Sequence, residues 1–232
     1  MRRDNPLAAE IVRADPLPYP APAIIRALEP LLTDQRRARI DEVLSRRTRA
    51  VVPVLDGLYD PHNVAAVLRS ADSFGAQEVH IIEGEEPLMA SHRVTQGADR
   101  WLDIVRHRDP RACVQALKAR GYAVYAAMMD GQTTPEELAD MPRVALVFGS
   151  EHSGVSNAVL ELCDGRYTIP MRGFSQSLNV SVAAALTLYS ATRGRAGDLA
   201  ADDVLELRAR FIWLSVPEAQ MVCSELLQRE QR

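Results

Sequence analysis

Three short polar stretches of this chain have residue types that could do chemistry. The first, residues 60–69, holds an amide and a cation, Asn63 and Arg69. The second, residues 149–154, is a glycine-bounded loop with one carboxylate, and the third, residues 169–183, is dense in Ser, Gln and Asn. Each lies beside an apolar run, where a strand gives way to a loop or helix. Because open α/β sheets bind ligands at such junctions, we take the three stretches as one candidate site.

Familiar catalytic motifs do not account for these stretches. The loop 149–154 has the outline of a phosphate-binding loop, but Val155 and Ser156 stand where Lys and Ser or Thr are required. The glycine fingerprint of a dinucleotide site is missing, as are the nucleophile elbow of a hydrolase and the zinc-binding helix of a metalloprotease. What remains is a flexible loop that places the carboxylate of Glu151 near a ligand.

Structural explanations compete with functional ones at several positions. Asn63 could cap a helix, Arg69 could be a surface charge, and one serine of the third stretch could be an N-cap. The polar residues from 175 to 181 are too many for a cap alone, since each buried unpaired donor costs about 1 to 3 kcal/mol. Their density at the mouth of an apolar helix predicts a bound partner.

From residue 51 onward, short apolar runs alternate with helical patterns, which predicts βαβ units around a parallel sheet. The predicted strands are 51–55, 78–82, 102–105, 122–127, 144–148 and 167–170. The predicted helices are 64–74, 111–120, 156–163 and 178–192. Gly75 and Gly121 follow two of them, where a left-handed helix end is expected.

The two ends of the chain differ from its centre. Prolines up to Pro30 predict an extended arm. Thr33 then caps a predicted helix that turns its arginines to solvent, and the arginine fork suits phosphate groups. These arginines are Arg36, Arg37, Arg39 and Arg46. Beyond residue 196 two apolar stripes predict further helices, which we expect to lie on the domain or on a second subunit.

Composition narrows the class of protein. The chain is 47% hydrophobic and 25% charged, which predicts a sizeable buried core. The net charge of −4 argues, taken alone, against a nucleic-acid binder. The three cysteines, Cys113, Cys163 and Cys223, lie far apart and form no recognisable zinc motif with the histidines, so we expect free thiols and no metal site. With no signal sequence or membrane span, we expect a cytoplasmic protein.

Taken together and in order, the three stretches resemble the sequence motifs of the SpoU branch of the SPOUT methyltransferases. The match runs from about residue 51 to 195, with its polar residues at the expected separations: Asn63, Arg69, Gly149, Glu151, Ser177 and Asn179. The resemblance implies an α/β fold, a SPOUT-type parallel sheet with helices on both faces and a C-terminal deep trefoil knot. It divides the chain into an RNA-contacting part (1–50), a methyltransferase domain (51–195) and a helical extension (196–232).

The same resemblance implies an activity. Family members transfer a methyl group from S-adenosylmethionine to a ribose 2′-hydroxyl of RNA, as homodimers. The extensions at the two ends resemble those of the TrmH subfamily, which acts on guanosine 18 of tRNA. We therefore expect tRNA and a second copy of the chain as partners, with no membrane and no protein-bound metal.

Residue roles follow from the same motifs. Arg69 would be the catalytic residue, and four polar residues would position it, the ribose or the leaving cofactor: Asn63, Glu151, Ser177 and Asn179. Backbone groups at five positions would hold the adenosyl part of the cofactor: Ala127, Gly149, Ile169, Met171 and Leu178. The arginines of the N-terminal helix would contact RNA: Arg36, Arg37, Arg39 and Arg46.

Three alternatives stay open beside this interpretation. A related SpoU enzyme could methylate a ribose of rRNA, or another position of tRNA. A catalytically silent RNA-binding or scaffold protein could share the fold, although every matching polar residue is present. A Rossmann-like oxidoreductase would need the glycine fingerprint that this chain lacks.

Overall fold

The computed structural model describes residues 10–12, 16–83 and 97–230. The chain divides into two compact units. The first, the sheet unit, comprises residues 1–13 and 49–195, and the second, the helical unit, comprises residues 14–48 and 196–232. None of the helices in the described part of the chain is long and apolar enough to cross a bilayer.

Within the described residues, the sheet unit contains seven strands in the order β1-β4-β3-β2-β6-β5-β7. Their bounds are β1 Glu10–Val12, β2 Val51–Asp56, β3 Glu78–Ile82, β4 Asp103–His107, β5 Ala123–Ala127, β6 Val144–Gly149 and β7 Gly165–Tyr167. Strands β2 to β7 run parallel, and β1 pairs antiparallel with β4 at the edge. The parallel α/β fold predicted from the sequence is confirmed.

The helices are α1 Ala21–Leu28, α2 Asp34–Arg46, α3 Pro61–Ser73, α4 Pro110–Ala119, α5 Pro135–Leu138, α6 Asn157–Leu160, α7 Val180–Thr192, α8 Ala201–Ser215 and α9 Ala219–Glu230. Two short 3-10 helices lie at Glu29–Leu31 and Ala98–Trp101. Gly75 and Gly121 end α3 and α4 at φ 83° and 81°, a left-handed conformation that favours glycine. Both helix ends were predicted.

Both faces of the sheet are covered, and the side chains of β2 show this. Val51 and Leu55 pack into a core with α3 and α7, whereas Val52 and Val54 pack into a second core with α4 and α6. A strand that is buried on both faces does not alternate between apolar and polar residues. This explains why the strands appear in the sequence as continuous apolar runs.

The parallel strands place the polar stretches at one edge of the sheet. The loops that follow β2, β5, β6 and β7 all leave from the carboxyl ends of neighbouring strands. The strand order also changes direction between β2 and β6, and ligands of open α/β sheets bind at that point. The topology therefore brings residues far apart in sequence to one crevice.

The last predicted strand, 167–170, is displaced. The structure has β7 at Gly165–Tyr167, so Ile169 and Pro170 lie outside the sheet. Pro170 has no amide hydrogen to donate to a neighbouring strand, which is one reason why pairing stops before it. The residues beyond β7 form a loop instead, and this loop becomes part of the site.

In the helical unit, α1 packs against α8 and α9, and α2 packs against α8. The extended arm predicted up to Pro30 is wrong over Ala21–Leu28, which is helix α1. Pro20 precedes the helix and Pro22 lies in its first turn, where a missing amide hydrogen removes no helical bond. The predicted cap of α2 is confirmed, because Thr33 accepts a hydrogen bond from the amide of Arg36.

Candidate active site

Asn63 joins the three polar stretches. Asp60, not Asn63, caps α3 by accepting from the amide of His62 at 2.9 Å, so the Asn63 amide is available for other contacts. Its Nδ2 donates to Oε1 of Glu151, and its Oδ1 accepts from Nδ2 of Asn179 at 3.1 Å. One residue of each predicted stretch thus belongs to a single hydrogen-bonded chain.

The outer members of this chain are held in place by their own loops. Asn179 is the N-cap of α7, where its Oδ1 accepts from the amide of Ser181 at 2.9 Å. Glu151 lies in a tight turn closed by reciprocal backbone bonds between Ser150 and Gly154, at 3.2 and 2.9 Å. The cap in the third stretch is therefore Asn179 and not a serine, as considered from the sequence, and capping accounts for only part of the hydrogen bonding of Asn179.

Gly149 and Asp56 shape the turn that presents Glu151. A Cβ atom on Gly149 would lie 2.1 Å from the carbonyl carbon of Gly154, so a side chain there would prevent the turn from closing. Asp56, at the end of β2, accepts from the amide of Ser156 at 2.7 Å. Asp56 was not among the site residues predicted from the sequence, although a carboxylate that ends an apolar strand is a usable signal.

A cavity of about 390 Å³ opens beside this chain of residues. It is lined by the end of β5, the segment from β7 to Met171, residues 176–178 and the side of α7. Four of the five predicted cofactor positions line it: Ala127, Ile169, Met171 and Leu178. Ser177 lines it too, whereas Gly149 is not among the lining residues.

The backbone beside the cavity offers unused hydrogen-bonding groups. Among the residues that the structure describes, none forms a backbone hydrogen bond with residues 169–178. These ten residues, nine of them exposed, therefore offer carbonyl groups and, except at Pro170, amide groups to water or to a ligand. Such groups can bind the ring nitrogens and hydroxyls of a nucleoside without a charged side chain.

The inner wall of the cavity depends on a close approach of two segments. The amide of Met128 donates to the carbonyl of Tyr167 at 2.9 Å, and a Cβ atom on Gly131 would lie 2.3 Å from the backbone of Tyr167. Tyr167 and Thr187 also bring two buried hydroxyls to the wall. Burial raises the pKa of Tyr167 well above its usual range, and the smaller effect of the neighbouring Thr187 hydroxyl lowers it. The phenol therefore stays protonated and can donate a hydrogen bond.

Arg69 and Ser177 stand apart from the hydrogen-bonded chain. Arg69 is exposed on α3, about 9 Å along the helix axis from Asn63 by the rise per residue. No described residue forms an ion pair with it, so its guanidinium is available to an anion. Ser177 lines the cavity, but its side chain makes no hydrogen bond to a described residue.

The predicted RNA-binding arginines lie on α2, in the helical unit. Three of the four pair with acidic residues of their own helix: Arg37 with Asp34, and Arg39 and Arg46 with Glu42. The hydrogen bond from Arg39 and the charges of both arginines lower the pKa of Glu42. Arg36 is exposed, and no described residue forms an ion pair with it. The helix is therefore only weakly basic, with four arginines against three acidic residues.

Comparison with known proteins identifies the family. Residues 50–189 match the model of the SpoU rRNA Methylase family. The chain is also 38% identical over 164 residues to the tRNA (guanosine(18)-2'-O)-methyltransferase of Thermus thermophilus, which covers 70% of this chain and 84% of that protein. This chain belongs to the SpoU methylase family and is a methyltransferase.

Solved structures agree with this assignment. The crystal structure of the A. aeolicus TrmH/SpoU tRNA modifying enzyme matches with a TM-score of 0.70 and 27% identity, covering 80% of this chain and 98% of that one. The SpoU methyltransferase AviRb from Streptomyces viridochromogenes, solved in complex with AdoMet, matches with a TM-score of 0.57 and 28% identity. It covers 66% of this chain and 63% of AviRb.

The change Asn63→Asp tests the hydrogen-bonded chain. Aspartate cannot donate to Glu151, and a second carboxylate there repels the first, so the turn that carries Glu151 should open more often. We expect the amide of Gly154 to exchange its hydrogen about tenfold faster at pH 7, consistent with the loss of about 1 to 2 kcal/mol.

Hydrogen exchange measured by mass spectrometry gives the comparison. Asn157→Asp makes the same chemical change at an exposed residue that begins α6 and should leave the exchange of the turn unchanged. Equal protection of the turn in Asn63→Asp and wild type would show that the contact does not hold it.

Proposed function

We propose that this protein transfers the methyl group of S-adenosylmethionine to a ribose 2′-hydroxyl of tRNA, with guanosine 18 of the D-loop as its target, in the cytoplasm. The observation that carries the proposal is the cavity beside residues 169–178, which adjoins the chain formed by Asn63, Glu151 and Asn179. The name of the Thermus thermophilus relative supports the choice of nucleotide. Methylation of rRNA or of another tRNA position is the alternative.

The residues of the cavity fit S-adenosylmethionine. Its volume of about 390 Å³ lies within the usual range for small-molecule sites. The side chains of Ile169 and Leu178 supply apolar contact, and the unpaired backbone of 169–178 supplies donors and acceptors for an adenosyl group. When bound, the cofactor supplies an electrophilic methyl group on a sulfonium, so the protein has mainly to align it with the nucleophile.

Arg69 is proposed as the residue that stabilises the reacting oxygen. A 2′-hydroxyl becomes a good nucleophile only as its proton leaves. A guanidinium with a pKa above about 12 is a poor base for that step, but a fixed cation can clamp the neighbouring phosphate and stabilise the developing alkoxide. The proton would then leave through a phosphate oxygen or water. Asn63, Glu151, Ser177 and Asn179 would position the ribose and the cofactor.

The resemblance to SpoU enzymes further supports two features of architecture. The first is a deep trefoil knot in the C-terminal part of residues 51–195. The second is a homodimer, for which α7 offers its own argument. Val182, Leu186 and Tyr189 are 47%, 46% and 51% exposed and follow one another at helical spacing. An apolar stripe of this kind suits the same stripe on a second copy.

The catalytic proposal is tested with methyl-labelled cofactor and an unmodified tRNA transcript, followed by digestion and mass spectrometry of the labelled nucleotide. We expect label on the ribose of guanosine 18. Arg69→Ala should lower kcat by about 100-fold or more, as removal of a preorganised charge does, with little change in cofactor affinity. Arg193→Ala, a change at an exposed arginine that follows α7, is the matched control.

Two results would each contradict one part of this proposal, the target nucleotide or the role of Arg69. Label on the ribose of another nucleotide would show that guanosine 18 is not the target, although the reaction would still be ribose methylation. Near-normal turnover of Arg69→Lys with a markedly altered pH profile would instead show that position 69 acts through its own proton, since lysine keeps the charge but loses the fork.

The role of α2 is tested by replacing Arg36, Arg37 and Arg39 with alanine. We expect tRNA affinity to fall several-fold and the dependence of affinity on salt to become shallower, because fewer phosphate contacts release fewer counterions. Cofactor affinity should not change. The control is Arg229→Ala, which removes an exposed arginine of α9. Unchanged tRNA affinity in the triple variant would exclude these three arginines from the RNA contact.

The dimer is tested with Leu186→Glu, which puts a charge into the centre of the exposed stripe on α7. Burying that carboxylate against an apolar partner is unfavourable, so the variant should sediment as a monomer where the wild type sediments as a dimer. Gln115→Glu adds the same charge to an exposed position of α4 and should leave sedimentation unchanged. A dimer that survives Leu186→Glu would move the interface away from α7.

A further inference from the structure

A second cluster of reactive side chains lies in the core of the sheet unit, and the proposed methyl transfer makes no use of it. It consists of His80 in β3, His107 at the end of β4 and Cys113 in α4, which are 2%, 5% and 0% exposed. One ligand atom from each lies within 4.8 Å of the others. No metal site was predicted from the sequence, because these residues match no known ligand spacing.

The fold explains why the three residues meet. His80 and His107 lie on adjacent parallel strands, and the register pairs His107 with Ile82, two residues beyond His80. Residues two apart on a strand point to the same face, so both imidazoles face the same side of the sheet. Helix α4 covers that face and brings Cys113 to them, with Sγ 3.9 Å from Nδ1 of His80.

Glu78 determines how His80 presents its lone pair. The carboxylate of Glu78 accepts hydrogen bonds from Nη1 and Nη2 of Arg120. Arg49 adds a further ion pair at 3.0 Å. An ionised carboxylate only accepts, so Nε2 of His80 must donate to it across 2.7 Å. In the neutral ring, Nδ1 then carries the lone pair and faces His107 and Cys113.

We propose that Nδ1 of His80, Nε2 of His107 and Sγ of Cys113 bind one transition-metal ion of the Zn²⁺ type. Two imidazoles and a thiolate are the donors that Zn²⁺ takes, whereas Mg²⁺ and Ca²⁺ require oxygen ligands. Glu78 orients His80 by accepting a hydrogen bond from its other ring nitrogen, Nε2, as carboxylates commonly do for metal-binding histidines. Three protein ligands leave a fourth position for a solvent molecule.

The distances need only small adjustments to hold such an ion. Zinc bonds of about 2.1 Å to nitrogen and about 2.3 Å to sulfur separate tetrahedral ligand atoms by roughly 3.3 to 3.6 Å. The two ring nitrogens are 2.7 Å apart, and Sγ is 3.9 Å from Nδ1 of His80. Shifts below about 1 Å, within reach of side-chain rotation, convert one arrangement into the other. The ion would join β3, β4 and α4 and so stabilise the sheet unit.

Without a metal ion, the same nitrogens form a hydrogen bond in which Nε2 of His107 donates to Nδ1 of His80. Titration of chelator-treated, full-length protein with Co²⁺ distinguishes the two states. Cobalt bound to a thiolate gives a near-ultraviolet charge-transfer band that a hydrogen-bonded pair cannot give. We expect the band to saturate at one Co²⁺ per chain and to disappear on addition of Zn²⁺, which should also raise Tm through binding to the folded state.

Variants assign the site. Cys113→Ser should abolish the band and weaken binding of Co²⁺ by tenfold or more, whereas Cys163→Ser, at a half-buried cysteine of the same unit, should leave both unchanged. Circular dichroism checks that each variant is folded, and the wild-type titration tests the proposal even if Cys113→Ser does not fold. Absence of the band in wild type, or its persistence in folded Cys113→Ser, would overturn the proposal.

Discussion

The site depends on a stretch of backbone that leaves the sheet without finding new partners. Strand β7 pairs over only three residues, and the ten that begin at Ile169 have amides and carbonyls with no described backbone partner. Nine of these ten residues are exposed, so water satisfies the groups until a ligand replaces it. In the proposed function, the adenosyl group of the cofactor would be that ligand.

The crevice contains a cavity and, separate from it, a hydrogen-bonded chain of side chains. The loop after β7 and the end of β5 line the cavity, and neither contributes a charged side chain to its lining. Asn63, Glu151 and Asn179 form a separate hydrogen-bonded chain across three loops, which fixes those loops relative to one another. Arg69 lies outside both and keeps its charge available. A phosphate group of the substrate could pair with this guanidinium.

The sequence predicted best what local physics determines. Buried parallel strands read as apolar runs, and glycines at left-handed positions ended α3 and α4. It predicted poorly what depends on distant partners. Proline content suggested an extended arm where α1 forms, because proline is tolerated in a first helical turn. The pairing of Arg39 and Arg46 with Glu42 reduced the basic character of α2. No spacing rule brings His80 and His107 to Cys113, since only strand register and a covering helix do so.

The contact between Gly131 and Tyr167 limits how this pocket can change. Because even a methyl group at position 131 would collide with main-chain atoms, that wall is not adjustable by substitution. Met128 and Met129, which also line the cavity, have flexible thioether side chains and can be shortened without moving the backbone. Enlargement of the pocket for synthetic donors that carry groups bulkier than methyl would therefore have to start from the methionines, with the glycine kept.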